Sequence, residues 1–176
     1  MKLIKEINDS NKIYEFDPNK HYRNTNCEEV KLFNIFLEQY GWKNFKDSSY
    51  NSGKHHIYVI FNYEEKKPRW VGFLHALECD VMSKNIIRKW HFVNEKYFKE
   101  EVVFIHTIDV REPFKRQKYA TCMVDIIKNI FAKNAIIMVE AVKKGKKFWP
   151  SVGFKKVRRT LKGNFMVFPK DNNYSI

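Results

Sequence analysis

Hydrophobic residues recur at helical spacing in the segment NTNCEEVKLFNIFLEQYGW, residues 24–42. Its apolar positions are Val30, Phe33, Phe36, Leu37 and Tyr40. Because residues three and four apart share one face of a helix, this pattern predicts an amphipathic helix with one buried side. The polar Asn and Thr residues at its start and Gly41 at its end are typical helix boundary signals.

Two segments rich in β-branched and aromatic residues follow, HHIYVIFNY at 55–63 and RWVGFLHALE at 69–78. The charged, proline-containing EEKKP separates them, so they are predicted to form an antiparallel hairpin. Residues 80–99 mix the helical and the strand periodicity, and both assignments stay open for them.

The second half of the chain alternates strands and helices. EEVVFIHTIDV at 100–110 predicts a buried strand, residues 119–135 an amphipathic helix ending near Asn134, and AIIMVEAV at 135–142 another strand. KKGKKFW at 143–149 is predicted to form a short helix that Pro150 ends. FKKVRRTL and FMVF, joined by KGN, form a last predicted hairpin. This order predicts one mixed α/β domain spanning residues 1–176, around a largely antiparallel sheet.

Composition is that of a compact domain with a full core, with 44% apolar residues in 176. No apolar run reaches the roughly 20 residues of a membrane span, and the N-terminal segment turns polar too early for a signal peptide. We therefore expect an intracellular, cytoplasmic protein without membrane contact. Cys27, Cys79 and Cys122 show no metal-ligand or disulfide spacing, so reduced thiols are expected.

Histidines are numerous but show no metal-binding pattern. His55 and His56 are adjacent in a predicted strand, so they should point to opposite faces of the sheet. His21, His75 and His91 lack ligand spacing. The sequence therefore predicts no metal.

The net charge of +13 implies attraction to phosphate-rich or acidic partners. The charge is uneven, since residues 143–169 contain no Asp or Glu. The cations of this basic segment are Lys143, Lys144, Lys146, Lys147, Lys155, Lys156, Arg158, Arg159 and Lys162. A solvated basic face and a surface for nucleic acid or an acidic substrate are both consistent with this pattern.

The stretch VREPFKRQKYATCM, residues 110–123, places three cations at the start of a predicted helix. Lys115, Arg116 and Lys118 stand where the helix dipole already disfavours positive charge. An anion bound there would resolve this conflict, because the free N–H groups of a first helical turn and nearby cations both favour it.

Two segments resemble motifs of the GNAT superfamily of acyl-CoA-dependent N-acyltransferases. VREPFKRQKYAT is similar to the family's R/Q-x-x-G-x-G/A segment between a strand and a helix, with Lys115 at the R/Q position, Lys118 at the first Gly and Ala120 at the second. GKKFWPSVGFKKV resembles A-x-x-F-Y-x-x-x-G-F, with Trp149 in place of the Tyr. RWVGFLHALE also resembles the family's strand containing V-G-F.

The resemblance implies a GNAT-like fold: a central, mixed, mostly antiparallel twisted sheet of about six to seven strands, helices on both faces, and a splay between the strands at 102–110 and 135–142. It also implies acetyl-CoA as co-substrate. The pyrophosphate would lie on backbone N–H groups from Arg116 to Thr121, and the pantetheine arm would pair with the backbone of the splayed strand. The residues expected to contact acetyl-CoA are Ile108, Asp109, Val110, Lys115, Arg116, Gln117, Lys118, Tyr119, Ala120, Thr121, Phe148 and Trp149.

Lys118 departs from the family pattern. A glycine at that position indicates a left-handed backbone, which costs another residue roughly 1–2 kcal/mol, or a very close phosphate. A loop that no longer binds CoA is the alternative.

Acetyl transfer to an amine needs a base, since an amine of pKa about 10.4 is protonated at pH 7. His106 is the preferred candidate: without a bulge, Phe104, His106, Ile108 and Val110 share one face of the strand. In the arylalkylamine acetyltransferase branch of the family this strand carries two histidines, of which His106 matches the second. Two alternatives to this assignment stay open. His106 is a core histidine without a catalytic role, or the base is a carboxylate from Glu100, Glu101 or Glu140.

The family's usual general acid is the Tyr that Trp149 replaces, and indole cannot donate a proton at neutral pH. The CoA thiolate then leaves unassisted, or Tyr119 or a Ser protonates it, or the protein is catalytically silent. Three functions stay open: an N-acetyltransferase for a small-molecule or protein amine, a GNAT-like binding module for an acidic or nucleic-acid partner, and an enzyme for an RNA-linked amine such as a charged tRNA. The acceptor is expected to be chosen by the helix near 27–41 and the loop at Lys162, Gly163 and Asn164.

Overall fold

The computed structural model describes residues 1–18, 26–43, 53–85, 99–157 and 165–168. Eight strands form one sheet in the order β1-β2-β3-β4-β5-β6-β8-β7. The strands are β1 (Lys2–Asn8), β2 (Asn11–Phe16), β3 (Gly53–Asn62), β4 (Arg69–Cys79), β5 (Glu101–Val110), β6 (Ala135–Glu140), β7 (Lys155–Lys156) and β8 (Phe165–Phe168). The helices with full bounds are α1 (Glu28–Tyr40), α2 (Tyr119–Phe131) and α3 (Phe148–Ser151), with short 3-10 helices at Glu112–Phe114 and Lys143–Gly145. In the segment whose assignment stayed open, residues 81–85 are helical and residues 86–98 lie outside the described residues.

All neighbouring strands are antiparallel except β5 and β6, which are parallel. The chain connects the two parallel strands by a crossover that contains α2. The predicted mixed, mostly antiparallel sheet is therefore confirmed, and the described part of the chain contains eight strands where six or seven were expected.

The additional strands are β1 and β2, an N-terminal hairpin that the sequence analysis missed. β1 is largely exposed at the sheet edge, so its Lys and Glu residues face water and the strand lacks a continuous apolar face. Only β2 contributes fully buried side chains, such as Ile13 and Phe16.

The two faces of the sheet are covered by different helices. Along β3, Tyr58 and Ile60 pack in one core with Met123 and Ile127 of α2. Ile57, Val59 and Phe61 pack on the other side with Val30, Phe33 and Phe36 of α1. This alternation is the two-residue period of a strand buried on both faces. We call the two sides the α1 face and the α2 face.

Some predicted boundaries shift. α2 ends at Phe131, before the predicted Asn134, and β6 ends at Glu140 before the predicted residue 142. Pro150 does not end a helix as predicted, but lies within the first turn of α3. Proline is accepted there because a first-turn N–H has no partner inside the helix. Residues 158–164, including the predicted acceptor loop, lie outside the described residues.

None of the described helices combines the length and the apolar character needed to cross a membrane.

Candidate active site

A cleft opens where β5 and β6 separate. Their parallel ladder runs from the Glu101–Ala135 pair to the Ile105–Val139 pair, and β5 then continues to Val110 paired with β4 but not with β6. The cleft has a volume of about 1030 Å³. Its walls include residues from α1, β4, β5, β6, α2 and α3. They are Tyr40, Phe73, Ile105, His106, Thr107, Ile108, Asp109, Val110, Phe114, Lys115, Arg116, Lys118, Tyr119, Ala120, Thr121, Val139, Glu140, Val142, Gly145, Phe148 and Trp149.

All residues proposed for acetyl-CoA from the sequence line this cleft, except Gln117. The Gln117 amide donates a hydrogen bond to the Pro113 carbonyl oxygen at 3.2 Å and is exposed outside it. On the β4 side, a Cβ on Gly72 would lie 2.7 Å from the Asp109 carbonyl oxygen, so the β4 backbone approaches this end of β5 as only glycine allows.

A β-bulge on β5 changes the face to which His106 points. His75 of β4 pairs with Thr107, while the next residue, Ala76, pairs with Ile105, so His106 is the extra residue of the ladder. His106 therefore contacts Phe104 and His75 on the α1 face, whereas Ile108 packs in the α2-face core. The expectation that His106 shares a face with Ile108 and Val110 is wrong because the bulge intervenes.

The His106 ring is mostly buried beside the Tyr40 hydroxyl. Its Nδ1 lies 3.4 Å from Tyr40 Oη and 3.1 Å from Thr107 Oγ1. Burial, with a smaller contribution from His55, lowers the pKa of His106 to about 4. His106 is therefore neutral at physiological pH. Burial also raises the pKa of the Tyr40 hydroxyl, which keeps its proton.

Two further histidines, His75 and His55, adjoin Tyr40 and His106, and their sequence pattern predicted no role for either. His75 Nδ1 lies 3.1 Å from Tyr40 Oη, and His75 Nε2 lies 3.0 Å from His55 Nδ1. His56 points to the opposite face, where it pairs with Glu15 and Glu78, so the predicted opposite orientation of His55 and His56 is confirmed. His21 and His91 lie outside the described residues.

No cluster of three or more His, Cys, Asp or Glu side chains suited to a metal occurs among the described residues. Of the three carboxylates considered as bases, Glu140 lines the cleft. Glu101 is exposed at the far end of β5 beside Lys84, and the Glu100 carbonyl oxygen accepts a hydrogen bond from the same lysine.

The N-terminus of α2 has an unusual backbone. Lys118 is its N-cap in the left-handed conformation, with φ 63° and ψ 10°, and Arg116 also has a positive φ of 65°. The left-handed backbone anticipated at Lys118 is thus present. The first intrahelical bond runs from Cys122 N–H to the Lys118 carbonyl, which leaves the N–H groups of residues 119–121 without intrahelical acceptors. Among the described residues no side chain caps this helix.

Trp149 and Tyr119 form apolar walls of the cleft and are 4% and 7% exposed. The Trp149 ring packs edge-on against Phe148 and Phe154, with centroids 5.1 and 5.0 Å apart. Burial raises the pKa of Tyr119, so this phenol is a weaker acid than in water.

Exposed cations stand beside the cleft. Lys143, Lys146 and Lys147 follow β6 next to the cleft residues Val142 and Gly145, and Lys155 and Lys156 form β7. Arg158, Arg159 and Lys162 lie outside the described residues. The cations of the predicted basic segment are therefore exposed wherever their side chains are described.

The sequence matches no protein-family model and no curated protein. Solved structures share its fold at low identity. One is a point mutant of the AtaT toxin, bound to the C-terminus of the antitoxin AtaR and to acetyl-CoA. It is 15% identical to this chain, with a TM-score of 0.59 over 92% of this chain and 94% of that chain. The KacTA–DNA complex is 15% identical, with a TM-score of 0.57 over 91% and 93%.

A third neighbour is the Bacillus subtilis N-acetyltransferase YlbP in complex with coenzyme A. It is 15% identical, with a TM-score of 0.53 over 90% of this chain and 97% of that chain. The chain thus has the GNAT-like acetyltransferase fold that the two sequence segments indicated.

Proposed function

We propose that the protein is an N-acetyltransferase that moves the acetyl group of acetyl-CoA directly to a primary amine in a ternary complex. One observation carries the proposal: a single cleft joins the cationic N-terminus of α2, the end of β5 that extends beyond its pairing with β6, and the neutral His106. Structural neighbours that bind acetyl-CoA or coenzyme A support it.

Acetyl-CoA would lie along this cleft. The N–H groups of residues 119–121 would bind the pyrophosphate, and Lys115, Arg116 and Lys118 would neutralise its charge. Beyond the last β5–β6 pair, the backbone of residues 108–110 would pair with the pantetheine amides as a neighbouring strand does. Phe148 and Trp149 would pack against the arm. The thioester would then point toward His106.

His106 is the proposed base. The ammonium form of the amine first loses one proton to solvent. The neutral amine nitrogen then attacks the thioester carbonyl carbon, a C–N bond forms, and the carbonyl π electrons move to oxygen. The nitrogen becomes cationic and gives its second proton to His106. When the oxyanion re-forms the carbonyl, the C–S bond breaks and its electron pair leaves with sulfur. Positioning of the two reactants supplies most of the rate, and a base adds about 10² to 10⁴.

The leaving thiolate needs little help, because a thiol of pKa about 8.5 leaves readily. Trp149 cannot donate a proton. The hydroxyl of Tyr40 lies beside His106 in the cleft and, like Tyr119, retains its proton at neutral pH. We assign Trp149 to packing rather than to proton transfer.

The test combines calorimetry and thiol detection. Acetyl-CoA is titrated into the protein, and free thiol is then followed with a thiol-reactive dye on addition of amines. Micromolar binding with amine-dependent thiol release supports the transferase. Binding without thiol release supports the alternative, a catalytically silent binding module, and absence of heat contradicts both the CoA site and the transferase.

An RNA-linked amine is the second candidate acceptor. Exposed Lys143, Lys146 and Lys147 lie beside the cleft, and a structural neighbour, AtaT, forms a complex with acetyl-methionyl-tRNAfMet. If charged tRNA is the acceptor, the protein should bind it with an affinity that falls steeply as the salt concentration rises, since each phosphate contact releases counterions. Equal acetylation of free amino acids and charged tRNA would contradict this acceptor.

A further inference from the structure

The cleft is lined from both faces of the sheet, and the two linings differ in chemistry. On the α2 face it contains the cations of the α2 N-terminus, which the proposed acetyl-CoA site uses. On the α1 face its lining residues include Tyr40, Phe73, His106 and Asp109, and none of these four carries a positive charge at neutral pH. We call these four residues the α1-face strip.

The α1-face strip is continuous from a carboxylate to an imidazole. Phe73 packs in the α1-face core and pairs with Asp109 in the antiparallel ladder of β4 and β5, so the two side chains are neighbours on this face. The Phe73 ring lies edge-on to Tyr40, with centroids 5.6 Å apart. The Tyr40 hydroxyl lies 3.4 Å from His106 Nδ1. An anion, two aromatic rings and a neutral base therefore follow one another along one wall of the cleft.

The Asp109 side chain is exposed at the outer end of the strip. Within the described ranges, no ion pair or hydrogen bond engages it. Glu112 raises the pKa of Lys115 through a direct ion pair, and Asp109 adds a weaker Coulombic contribution. The guanidinium of Arg111 stacks over the Trp70 ring at 4.9 Å. Both nearby cations thus have other partners, and Asp109 presents its negative charge to the cleft.

This negative charge lies at a distance from the proposed base. The reacting nitrogen must be neutral when it attacks, and a carboxylate beside it would favour the ammonium form instead. The Thr107 hydroxyl contacts His106, and Asp109 lies two residues further along β5. At about 3.3 Å per strand residue, a cation at Asp109 would lie roughly 7–10 Å from the reacting nitrogen. Between the two ends, Phe73 and Tyr40 offer a surface suited to a hydrocarbon chain.

We propose that the acceptor is a linear aliphatic diamine whose distal ammonium pairs with Asp109 while its methylene chain lies on Phe73 and Tyr40. This inference rests on the proposed acetyl transfer and names its acceptor class. Single bonds of about 1.5 Å advance an extended chain by roughly 1.25 Å each, so the span corresponds to about five to seven methylene groups. Asp109 is a specificity-determining residue here and takes no part in the proton transfer.

The test measures amine-dependent thiol release at saturating acetyl-CoA. Terminal diamines from diaminopropane to diaminooctane are each compared with the amino alcohol of the same length, in which a hydroxyl replaces the distal amino group. At the pentane to heptane lengths, kcat/KM should be roughly four- to tenfold higher for the diamine, of which a factor of about two reflects its two equivalent ends and the rest one exposed ion pair. A ratio no larger than this statistical factor at every length overturns the proposal. A higher kcat/KM for charged tRNA than for every diamine overturns it in favour of an RNA-linked amine.

Asp109→Asn removes the charge and keeps the shape of the side chain. The matched control is Asp125→Asn, the same change at a carboxylate of α2 that pairs with Lys128 at 2.6 Å and does not line the cleft. The ratio of diamine to amino alcohol should fall to the statistical factor in Asp109→Asn and stay at the wild-type value in Asp125→Asn. Because both acceptors are measured with the same variant, a change in acetyl-CoA binding cancels in this ratio. A ratio retained in Asp109→Asn, or lost equally in both variants, overturns the role of Asp109.

Calorimetry with coenzyme A bound separates this inference from the transferase, because no acetyl group is then present to be transferred. Diaminohexane is titrated into the wild type and into Asp109→Asn. Diamine binding that Asp109→Asn weakens, together with an absence of thiol release, contradicts the transferase and supports the acceptor site. Thiol release without a preference for diamines supports the transferase and overturns the acceptor class. Absence of both binding and release overturns both.

Discussion

Lys118 occupies a left-handed backbone conformation at the N-terminus of α2, where the resembling family carries glycine. This conformation costs a residue with a side chain roughly 1–2 kcal/mol. Lys118→Gly removes that cost but increases the entropy of the unfolded chain, which offsets about 0.4–1 kcal/mol. The net expectation is a stabilisation of about 0.5–1 kcal/mol.

For a chain of this length, 1 kcal/mol shifts the midpoint of thermal unfolding by roughly 2–4 °C. Lys118→Gly should therefore melt about 1–4 °C above the wild type in a scanning calorimeter without ligand. Lys115→Gly is the matched control: Lys115 is an exposed cation of the same loop with an ordinary φ of −63°. Glycine relieves no backbone strain at position 115, so the Lys115→Gly variant should melt at a lower temperature than the wild type.

Acetyl-CoA affinity should move in the same direction in both variants, since each loses one cation from the cleft. An exposed ion pair contributes about 0.2–1 kcal/mol, which corresponds to roughly a 1.4- to 5-fold rise in Kd. Lys118→Gly is thus expected to be more stable and a weaker binder. A lower melting temperature would refute the strain argument, and unchanged affinity in both variants would refute the phosphate site.

His106→Ala should lower turnover at least tenfold with little change in acetyl-CoA affinity; unchanged turnover removes His106 from the role of base. Unfolded His106 binds protons below about pH 6.5, whereas the folded residue does so only near its pKa of about 4. His106 therefore stabilises the fold at neutral pH and this contribution decreases as pH falls, by about 2 kcal/mol between pH 7.5 and 5. Urea unfolding of the wild type and His106→Gln at both pH values measures this difference, and equal pH dependence of the two contradicts it. Trp149→Phe should keep turnover within about threefold, because indole donates no proton, while destabilising the fold by less than the roughly 3–5 kcal/mol of a Trp→Ala change. A hundredfold loss of turnover with intact folding would assign Trp149 a role in the reaction.

Local patterns predicted the elements whose burial is regular. The apolar stripe from Val30 to Tyr40 and its Gly41 stop correspond to α1, whose C-cap Gly41 is left-handed. The run at 100–110 corresponds to β5, which is buried on both faces over its first half. β1 was missed since an exposed edge strand of Lys and Glu has no apolar face that its own sequence reveals.

The cationic N-terminus of α2 was also predictable from the sequence, because the cleft-lining residues from Lys115 to Thr121 are nearly continuous along the chain. A helix N-terminus gathers its own N–H groups, so neighbours along the chain become neighbours in space. The left-handed backbone of Lys118 is one of the two alternatives that the comparison with glycine left open.

The environment of His106 required the tertiary structure. A bulge is defined by the partner strand, and only the pairing of β4 with β5 shows that His106 is the extra residue. Tyr40 and His75 contact it from α1 and β4, and His55 of β3 contacts His75. The separations of 35 residues between Tyr40 and His75 and of 20 between His55 and His75 carry no periodic signal. By itself the sequence determined strands β3 to β6, helices α1 and α2 and the charged helix start, because these depend on neighbours along the chain. Only the folded sheet decided which side chains surround His106, because register and packing bring together residues that are distant in sequence.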